Sequence, residues 1–83
     1  MKNEIYTVDY CPYCKKALAF LKEHNVDFLQ HRIDEDEHQG RLMLAKKFNI
    51  KTEVTVPQIV INGEHIGGYT DMVEKFNKGI LRF

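Results

Sequence analysis

Residues 4–14 read Glu-Ile-Tyr-Thr-Val-Asp-Tyr-Cys-Pro-Tyr-Cys, and this stretch predicts the first step of the fold. Residues 4–8 are rich in β-branched and aromatic types, which favour a strand. Pro12 suits the first turn of a helix, because the N–H that proline lacks would have no helical partner there. The stretch therefore predicts a strand, a turn and a helix, with Cys11 at the open end of the helix and Cys14 one turn further in.

Hydrophobic periodicity and turn residues extend this alternation along the rest of the chain. The elements predicted after the first strand are a helix from about Pro12 to Glu23, a strand over residues 26–33, a helix from Asp34 or Asp36 to about Phe48, a loop over residues 51–56, a strand over residues 58–61, a return strand over residues 64–66 and a last helix capped by Thr70 or Asp71. Asn62-Gly63, between the last two strands, is a strong signal for a two-residue hairpin.

Each predicted helix has an apolar face that we expect to be buried. These faces consist of Cys14, Ala17, Leu18 and Leu21 in the first helix, Leu42, Ala45 and Phe48 in the second, and Met72, Val73, Phe76 and Ile80 in the third. We also expect four aromatic residues in the core, namely Tyr6, Phe28, Phe48 and Phe76. His24 and His65 are expected at the surface.

The predicted order is β-α-β-α-β-β-α, which indicates an α/β fold. A strand, a crossover helix and a second strand form a right-handed parallel unit, and the hairpin adds an antiparallel pair. Because the strands are largely apolar, helices must cover both faces of the sheet. We therefore predict a four-stranded mixed sheet with three helices on its two faces, in a single domain spanning residues 1–83.

Composition excludes several classes of function. Twelve Lys and Arg balance twelve Asp and Glu, which argues against a nucleic-acid binder or a polybasic membrane anchor. No apolar run approaches the roughly 18 residues of a membrane span, and the first residues lack the apolar segment of a signal peptide. A cytosolic protein is expected. Two cysteines are too few for a disulfide scaffold.

The C-x-x-C spacing has two main chemical uses. A zinc site would need two more ligands, and the four histidines (His24, His31, His38 and His65) lack the usual short pair spacing. We expect no metal. As a redox pair, Cys11 lies where free N–H groups and the positive end of the helix dipole favour a thiolate. Cys11 is then the exposed nucleophile and Cys14 the partner within reach of a disulfide.

Three motifs together resemble the glutaredoxin family over nearly the whole chain. Cys11-Pro12-Tyr13-Cys14 is similar to the active-site motif of dithiol glutaredoxins, Thr55-Val56-Pro57 resembles the family's T-V-P segment with a cis proline, and Gly67-Gly68-Tyr69-Thr70-Asp71 resembles its G-G-x-[TS]-D segment. The resemblance implies a thioredoxin fold and glutathione-dependent thiol–disulfide exchange in the cytosol. Cys11 and Cys14 are the implied catalytic residues, with no bound cofactor and glutathione as co-substrate.

The implied glutathione-binding residues are Tyr13, Thr55, Val56, Pro57, Gly68, Tyr69, Thr70 and Asp71. Pro57 starts an otherwise central strand, where proline is poorly tolerated, so a cis bond would explain its position. The N–H and C=O of Val56 would then face outward and could pair with an extended peptide. By resemblance, Asp71 meets the ammonium of the γ-glutamyl end. Thr70 and Asp71 could alternatively serve only as helix caps.

The chain departs from the family pattern at one position. Many glutaredoxins carry Lys or Arg three residues before the nucleophilic cysteine, where this chain has Val8. That substitution removes a positive charge that would assist both the thiolate and a carboxylate of glutathione. The candidates to replace it are Lys15, Arg41 and Lys51.

The resemblance also implies partners. They are glutathione and proteins that are glutathionylated or contain a disulfide, with ribonucleotide reductase as a candidate client. We expect a monomer and neither nucleic acid nor membrane as a partner. Two alternatives stay open: an electron donor to ribonucleotide reductase that is recharged by thioredoxin reductase, and a module that binds an iron–sulfur cluster. The Gly67–Asp71 segment argues against the first, and Pro12 and Cys14 argue against the second.

Overall fold

The computed structural model describes residues 2–83, which form four strands and three α-helices. The elements are β1 (Glu4–Thr7), α1 (Pro12–Glu23), β2 (Leu29–Arg32), α2 (Glu37–Lys47, preceded by a 3₁₀ turn over Asp34–Asp36), β3 (Gln58–Ile61), β4 (Glu64–Gly67) and α3 (Tyr69–Asn77). The predicted order of elements is confirmed. None of the helices between residues 2 and 83 has the length and apolar character needed to cross a membrane.

The four strands form one mixed sheet in the order β2-β1-β3-β4. β1 pairs parallel with β2 and antiparallel with β3, and β3 pairs antiparallel with β4. The hairpin between β3 and β4 turns at Asn62 and Gly63, whose φ angles are +54° and +80°. Positive φ at both central residues is what a type I′ turn requires, so the predicted hairpin is confirmed.

The two faces of the sheet carry separate hydrophobic clusters. The first joins α1 and α3 to one face, with Ile5, Ala17, Val26, Leu21, Ile59, Ile61, Ile66, Met72 and Leu81 buried. The second joins α2 and the start of α1 to the other face, with Tyr6, Val8, Cys11, Cys14, Ile33, Leu44 and Val54 buried. Successive residues of a strand point to opposite faces, so Ile5 belongs to the first cluster and Tyr6 to the second. Helices therefore cover both faces, as predicted.

The predicted buried face of α2 is wrong at Leu42, which is 49% exposed. Leu44 is fully buried instead, so the buried face runs through Gly40, Leu44 and Phe48 at a spacing of four residues. Gly40 allows this packing because a Cβ at that position would lie 2.7 Å from the Cβ of Ile33. The glycine has no hydrophobic side chain, so the apolar pattern did not reveal the face to which it belongs.

Both ends of α3 also differ from prediction. Gly68 is the N-cap residue, rather than Thr70 or Asp71. The helix ends before Gly79, whose φ of +74° turns the chain. As a result Ile80 is 69% exposed and Leu81 is buried in its place.

Two predicted surface histidines are half-buried against aromatic rings. His65 stacks on Phe48 with ring centroids 4.0 Å apart, and His24 lies against Phe20 at 4.2 Å. Tyr6 is buried as expected. The remaining predicted core aromatics, Phe28, Phe48 and Phe76, are partly exposed. β2 begins at Leu29 rather than at residue 26, because residues 26–28 form the connection from α1.

Candidate active site

Cys11 occupies the N-cap position of α1, directly before Pro12. Its backbone is extended, with φ −92° and ψ 111°, and its Sγ accepts a hydrogen bond from the N–H of Cys14 at 3.1 Å. This is the bond that a serine or aspartate oxygen makes in an ordinary helix cap. Here a sulfur takes that place, so the N–H and the helix dipole stabilise negative charge on Cys11.

The prediction of an exposed Cys11 is wrong, because only 7% of this residue is exposed. The segment before Pro57 covers it, and the Cys11 thiol donates a hydrogen bond to the carbonyl oxygen of Val56 at 3.5 Å. This cover comes from a part of the chain 45 residues away. A disulfide substrate must therefore approach Cys11 beside Val56.

Cys14 lies one turn further into α1 and is almost fully buried, with 1% exposed. Burial raises the pKa of its thiol to about 12, and a hydrogen bond to Cys11 adds to the rise. Cys14 consequently keeps its proton at neutral pH and donates toward the sulfur of Cys11. Both thiols are free.

A groove of about 280 Å³ opens beside Val56, the residue that contacts the Cys11 sulfur. Its lining residues come from three segments and are Tyr13, Thr55, Val56, Pro57, Gly68, Tyr69, Thr70 and Asp71. These are the eight residues that the sequence resemblance implied. The Val56-Pro57 peptide bond is cis, as predicted. The rings of Tyr13 and Tyr69 lie 6.1 Å apart.

The N-terminus of α3 forms one end of this groove. The N–H of Gly68 donates to Oδ2 of Asp71 at 2.9 Å, so Asp71 contributes to capping from the first turn. Gly67 has a φ of +113°, and a Cβ there would lie 2.6 Å from the same carboxylate oxygen. A glycine is therefore required where the chain passes Asp71 closely.

The structure distinguishes the candidate replacements for a basic residue at Val8. The Val8 side chain is buried in the second cluster and carries no charge. Arg41 contacts the loop before Pro57 (residues 54–56): its Nη1 donates to the carbonyl oxygen of Val54, and its Nε donates to Glu37 at 2.9 Å. Its positive charge weakly opposes the rise in the pKa of Cys14. Lys15 and Lys51 are exposed.

A polar network surrounds the loop before Pro57 and was not predicted from the sequence. Gln58 donates from Nε2 to the carbonyl oxygen of Thr55 at 2.8 Å, and its Oε1 lies 2.7 Å from Nε2 of His65. The Tyr10 hydroxyl lies 2.5 and 2.6 Å from the two carboxylate oxygens of Glu37, which also accepts from the Arg41 that holds Val54. The one signal in the sequence was a glutamine in an otherwise apolar strand.

No group of three or more His, Cys, Asp or Glu side chains suited to a metal ion occurs within residues 2–83. Three histidine rings already have polar neighbours. His31 pairs with Glu4 at 2.8 Å, His65 with Gln58 at 2.7 Å, and His24 with the carbonyl oxygen of Phe20 at 2.8 Å. Cys11 and Cys14, both free thiols, can carry out dithiol chemistry at this site.

Comparison with known proteins agrees with this chemistry. The glutaredoxin family model matches residues 3–66. A probable glutaredoxin of Synechocystis sp. is 44% identical over 71 residues, which cover 86% of this chain and 77% of that protein. Glutaredoxin 1 from Francisella tularensis, in a crystal structure with cacodylate, is 31% identical and superposes with a TM-score of 0.78 over 94% of each chain.

A buckwheat glutaredoxin–glutathione complex superposes with a TM-score of 0.81. Its identity is 23%, over 96% of this chain and 72% of that one, so it shows the fold alone. The fold is the thioredoxin fold shared by these structures. With a free dithiol at the start of α1, the protein is a thiol–disulfide oxidoreductase. The chain belongs to the glutaredoxin family.

Proposed function

We propose that this protein uses glutathione to reduce protein–glutathione mixed disulfides and protein disulfides. The observation that carries the proposal is the groove beside Cys11, whose lining combines Tyr13, residues 55–57 and residues 68–71. The groove meets the nucleophile at Val56, since this residue both lines the groove and contacts the Cys11 sulfur.

The cysteinyl group and the γ-glutamyl end of glutathione each have a complementary surface in the groove. Val56 lies outside β3, and an extended cysteinyl group can pair with its N–H and C=O as an added strand does. The N-terminus of α3, a helix of nine residues, offers N–H groups to the γ-glutamyl carboxylate. Asp71 is exposed and can attract the neighbouring ammonium, while Tyr13 packs beside the bound tripeptide.

Reduction of a mixed disulfide needs only Cys11. Its thiolate attacks the glutathione sulfur, the bond between that sulfur and the protein breaks, and the protein leaves as a thiolate that takes a proton from water. A second glutathione thiolate then attacks the glutathione held on Cys11. Oxidised glutathione leaves and the Cys11 thiolate is restored. Exchange of this kind is fastest when the attacking thiol has a pKa near the ambient pH.

Reduction of a protein disulfide uses both cysteines. Cys11 attacks one sulfur of the substrate and forms a mixed disulfide with it. Cys14 then attacks the Cys11 sulfur, its proton passes to the departing protein thiolate, and a Cys11–Cys14 bridge remains. Two glutathione molecules reduce this bridge in turn. The protonated state of Cys14 in the reduced protein keeps it from competing with Cys11 for the first attack.

A coupled assay with glutathione, glutathione reductase and a small mixed disulfide tests the proposal. We expect Cys11→Ser to abolish activity and Cys14→Ser to retain it, while Cys14→Ser loses much of the reduction of protein disulfides. Equal loss in both variants with the mixed disulfide would contradict the roles assigned here. Replacing the glutathione system with thioredoxin reductase should leave the oxidised protein unreduced; efficient reduction by thioredoxin reductase would favour the alternative electron donor.

The cytosolic location, the monomeric state and ribonucleotide reductase as a client belong to the same proposal. They rest on the family resemblance. Gel filtration of the reduced protein and a reduction assay with oxidised ribonucleotide reductase would test the last two.

A further inference from the structure

The loop before Pro57 is held by side chains through three successive backbone carbonyls, those of residues 54–56. The first accepts a hydrogen bond from Arg41 of α2, the second from Gln58 of β3 and the third from the Cys11 thiol. The loop belongs to neither a helix nor a strand, so these bonds replace the regular pattern that would otherwise fix its backbone. The bond from Gln58 to the Thr55 carbonyl is the least expected of the three, because it requires a buried side-chain amide.

Gln58 is 5% exposed and is the one polar residue of β3, whose other members are Ile59, Val60 and Ile61. The Thr55 carbonyl can only accept, so the amide nitrogen of Gln58 must face it. That orientation points the amide oxygen at His65, which therefore presents its Nε2–H. Both ends of the buried side chain thus have a partner, and removing either partner would leave a buried polar atom unpaired.

His65 is itself held from the opposite side. Its ring stacks on Phe48, the C-cap residue of α2, at 4.0 Å with an angle of 5° between the planes. The Nε2–H exists in both the neutral and the protonated ring, so the hydrogen bond does not depend on the charge of His65. A chain of contacts consequently runs from α2 through Phe48, His65 and Gln58 to the Thr55 carbonyl.

We propose that Gln58 and His65 are positioning residues that fix the Thr55 carbonyl and thereby the direction of the Val56 backbone edge. The inference rests on the proposed function, because that edge is where the cysteinyl group of glutathione pairs. Neither residue lines the groove, so both act through the loop. Their loss should weaken the binding of glutathionylated substrate without slowing the reaction of the Cys11 sulfur itself, because a looser Val56 covers that sulfur no more than before.

Gln58→Met tests the first residue, since methionine has a similar length and neither hydrogen-bonding group. We expect KM for a glutathionylated peptide to rise about tenfold, which is the effect of one or two unpaired buried groups. The value of kcat should change by less than about twofold. The rate of Cys11 alkylation by iodoacetamide, which needs no groove, should not fall below that of the wild type, because a looser Val56 leaves the sulfur at least as accessible. Gln30→Met is the matched control, because Gln30 also donates a side-chain hydrogen bond, to Thr7 at 3.0 Å, on the opposite face of the sheet.

His65→Phe tests the second residue, because phenylalanine keeps the stack on Phe48 and removes the N–H donor. We expect a smaller rise in KM, since Gln58 can still reach Thr55. The double variant Gln58→Met with His65→Phe should be no worse than Gln58→Met alone, because the two residues act in one chain. Independent, additive effects would overturn the proposal, and so would an unchanged KM in Gln58→Met.

NMR of the backbone amides in the protein without glutathione separates this inference from the proposed function. We expect the Val56 amide signal to shift or broaden in Gln58→Met and to keep its wild-type position and width in Gln30→Met. If the wild type shows no activity with glutathione and the Val56 signal still changes in Gln58→Met, the proposed function fails while the positioning role stands. An unchanged Val56 signal would overturn the positioning role, and so would an equal loss of kcat and of Cys11 alkylation, which would mark a general structural defect.

Discussion

The two faces of the sheet are built from different kinds of side chain. On the face covered by α1 and α3, the buried hydrophobic cluster consists of aliphatic residues and a methionine. The face covered by α2 carries a band of rings and polar groups that crosses all four strands. Its members are His31 on β2, Tyr6 on β1, Gln58 on β3 and His65 on β4, with Phe48 of α2 against them.

The two faces therefore contribute differently, one mainly to stability and the other to the orientation of the groups at the active site. An aliphatic cluster gains its free energy from burial and tolerates changes of shape if its volume is kept. A band of rings and amides fixes directions, because each stack and each hydrogen bond has a preferred geometry. In this protein the second face includes both cysteines and contacts the loop before Pro57, so the directional face is the one that supports the chemistry.

The largest expected effect is on the aliphatic face. Leu21 is fully buried in α1, and Leu21→Ala should lower the free energy of unfolding by about 2–5 kcal/mol, from lost burial and the cavity left behind. At temperatures where the variant remains folded, kcat/KM should equal that of the wild type. Urea unfolding followed by circular dichroism measures the free energy of unfolding. A fall in kcat/KM in the folded Leu21→Ala protein would contradict the proposed difference between the two faces.

A change on the α2 face should affect stability and activity together. In Gly40→Ala the new Cβ would meet the Cβ of Ile33 at 2.7 Å, so α2 must shift and carry Arg41 away from the Val54 carbonyl. We expect a loss of about 1–3 kcal/mol, typical of overpacking, although alanine would otherwise stabilise a helix by about 1 kcal/mol over glycine. KM for a glutathionylated peptide should rise as well, because the loop before Pro57 loses its bond from Arg41.

Gln39→Ala, at an exposed position in the same turn of α2, is the control for this prediction. It should leave both the free energy of unfolding and KM near the wild-type values. A Gly40→Ala protein that is more stable than the wild type would show that α2 does not approach Ile33 as described.

The smallest effect concerns acid stability. Burial holds the pKa of His65 below its usual value. The unfolded chain therefore takes up a proton at a higher pH than the folded one, and stability is lost as pH falls below about 6.5. His65→Phe should reduce this dependence. The measurement is the urea midpoint at pH 7.5 and at pH 5.0, with His38→Gln as the exposed control; an identical pH dependence in His65→Phe and the wild type would contradict the assignment.

The sequence predicts the order of elements, the mixed sheet and the place of the dithiol because these depend on local signals. Strand-forming residues before a Pro at the start of a helix locate Cys11, and Asn62-Gly63 locates the hairpin. The eight residues of the groove follow from the family resemblance. Each of these predictions uses residues that are close together in the chain or belong to a known motif.

The features that the sequence did not reveal depend on contacts between distant residues. Cys11 is buried because Val56, 45 residues away, lies over it. Gln58 and His65 meet across a hairpin whose register shifts between Ile59 and Val60, so their spacing in the sequence gives no warning. Gly40 marks the buried face of α2 by having no side chain, which a search for apolar residues cannot detect.

The central claim is that Cys11 alone attacks, while the buried Cys14 keeps its proton until it resolves the intermediate. Peptide mapping by mass spectrometry tests this most directly, after brief reaction of the Cys11→Ser and Cys14→Ser proteins with a glutathionylated peptide at pH 7.5. We predict glutathione on Cys11 in the Cys14→Ser protein and none on Cys14 in the Cys11→Ser protein. Glutathione on Cys14 at a comparable rate, or an unmodified Cys11, would contradict it.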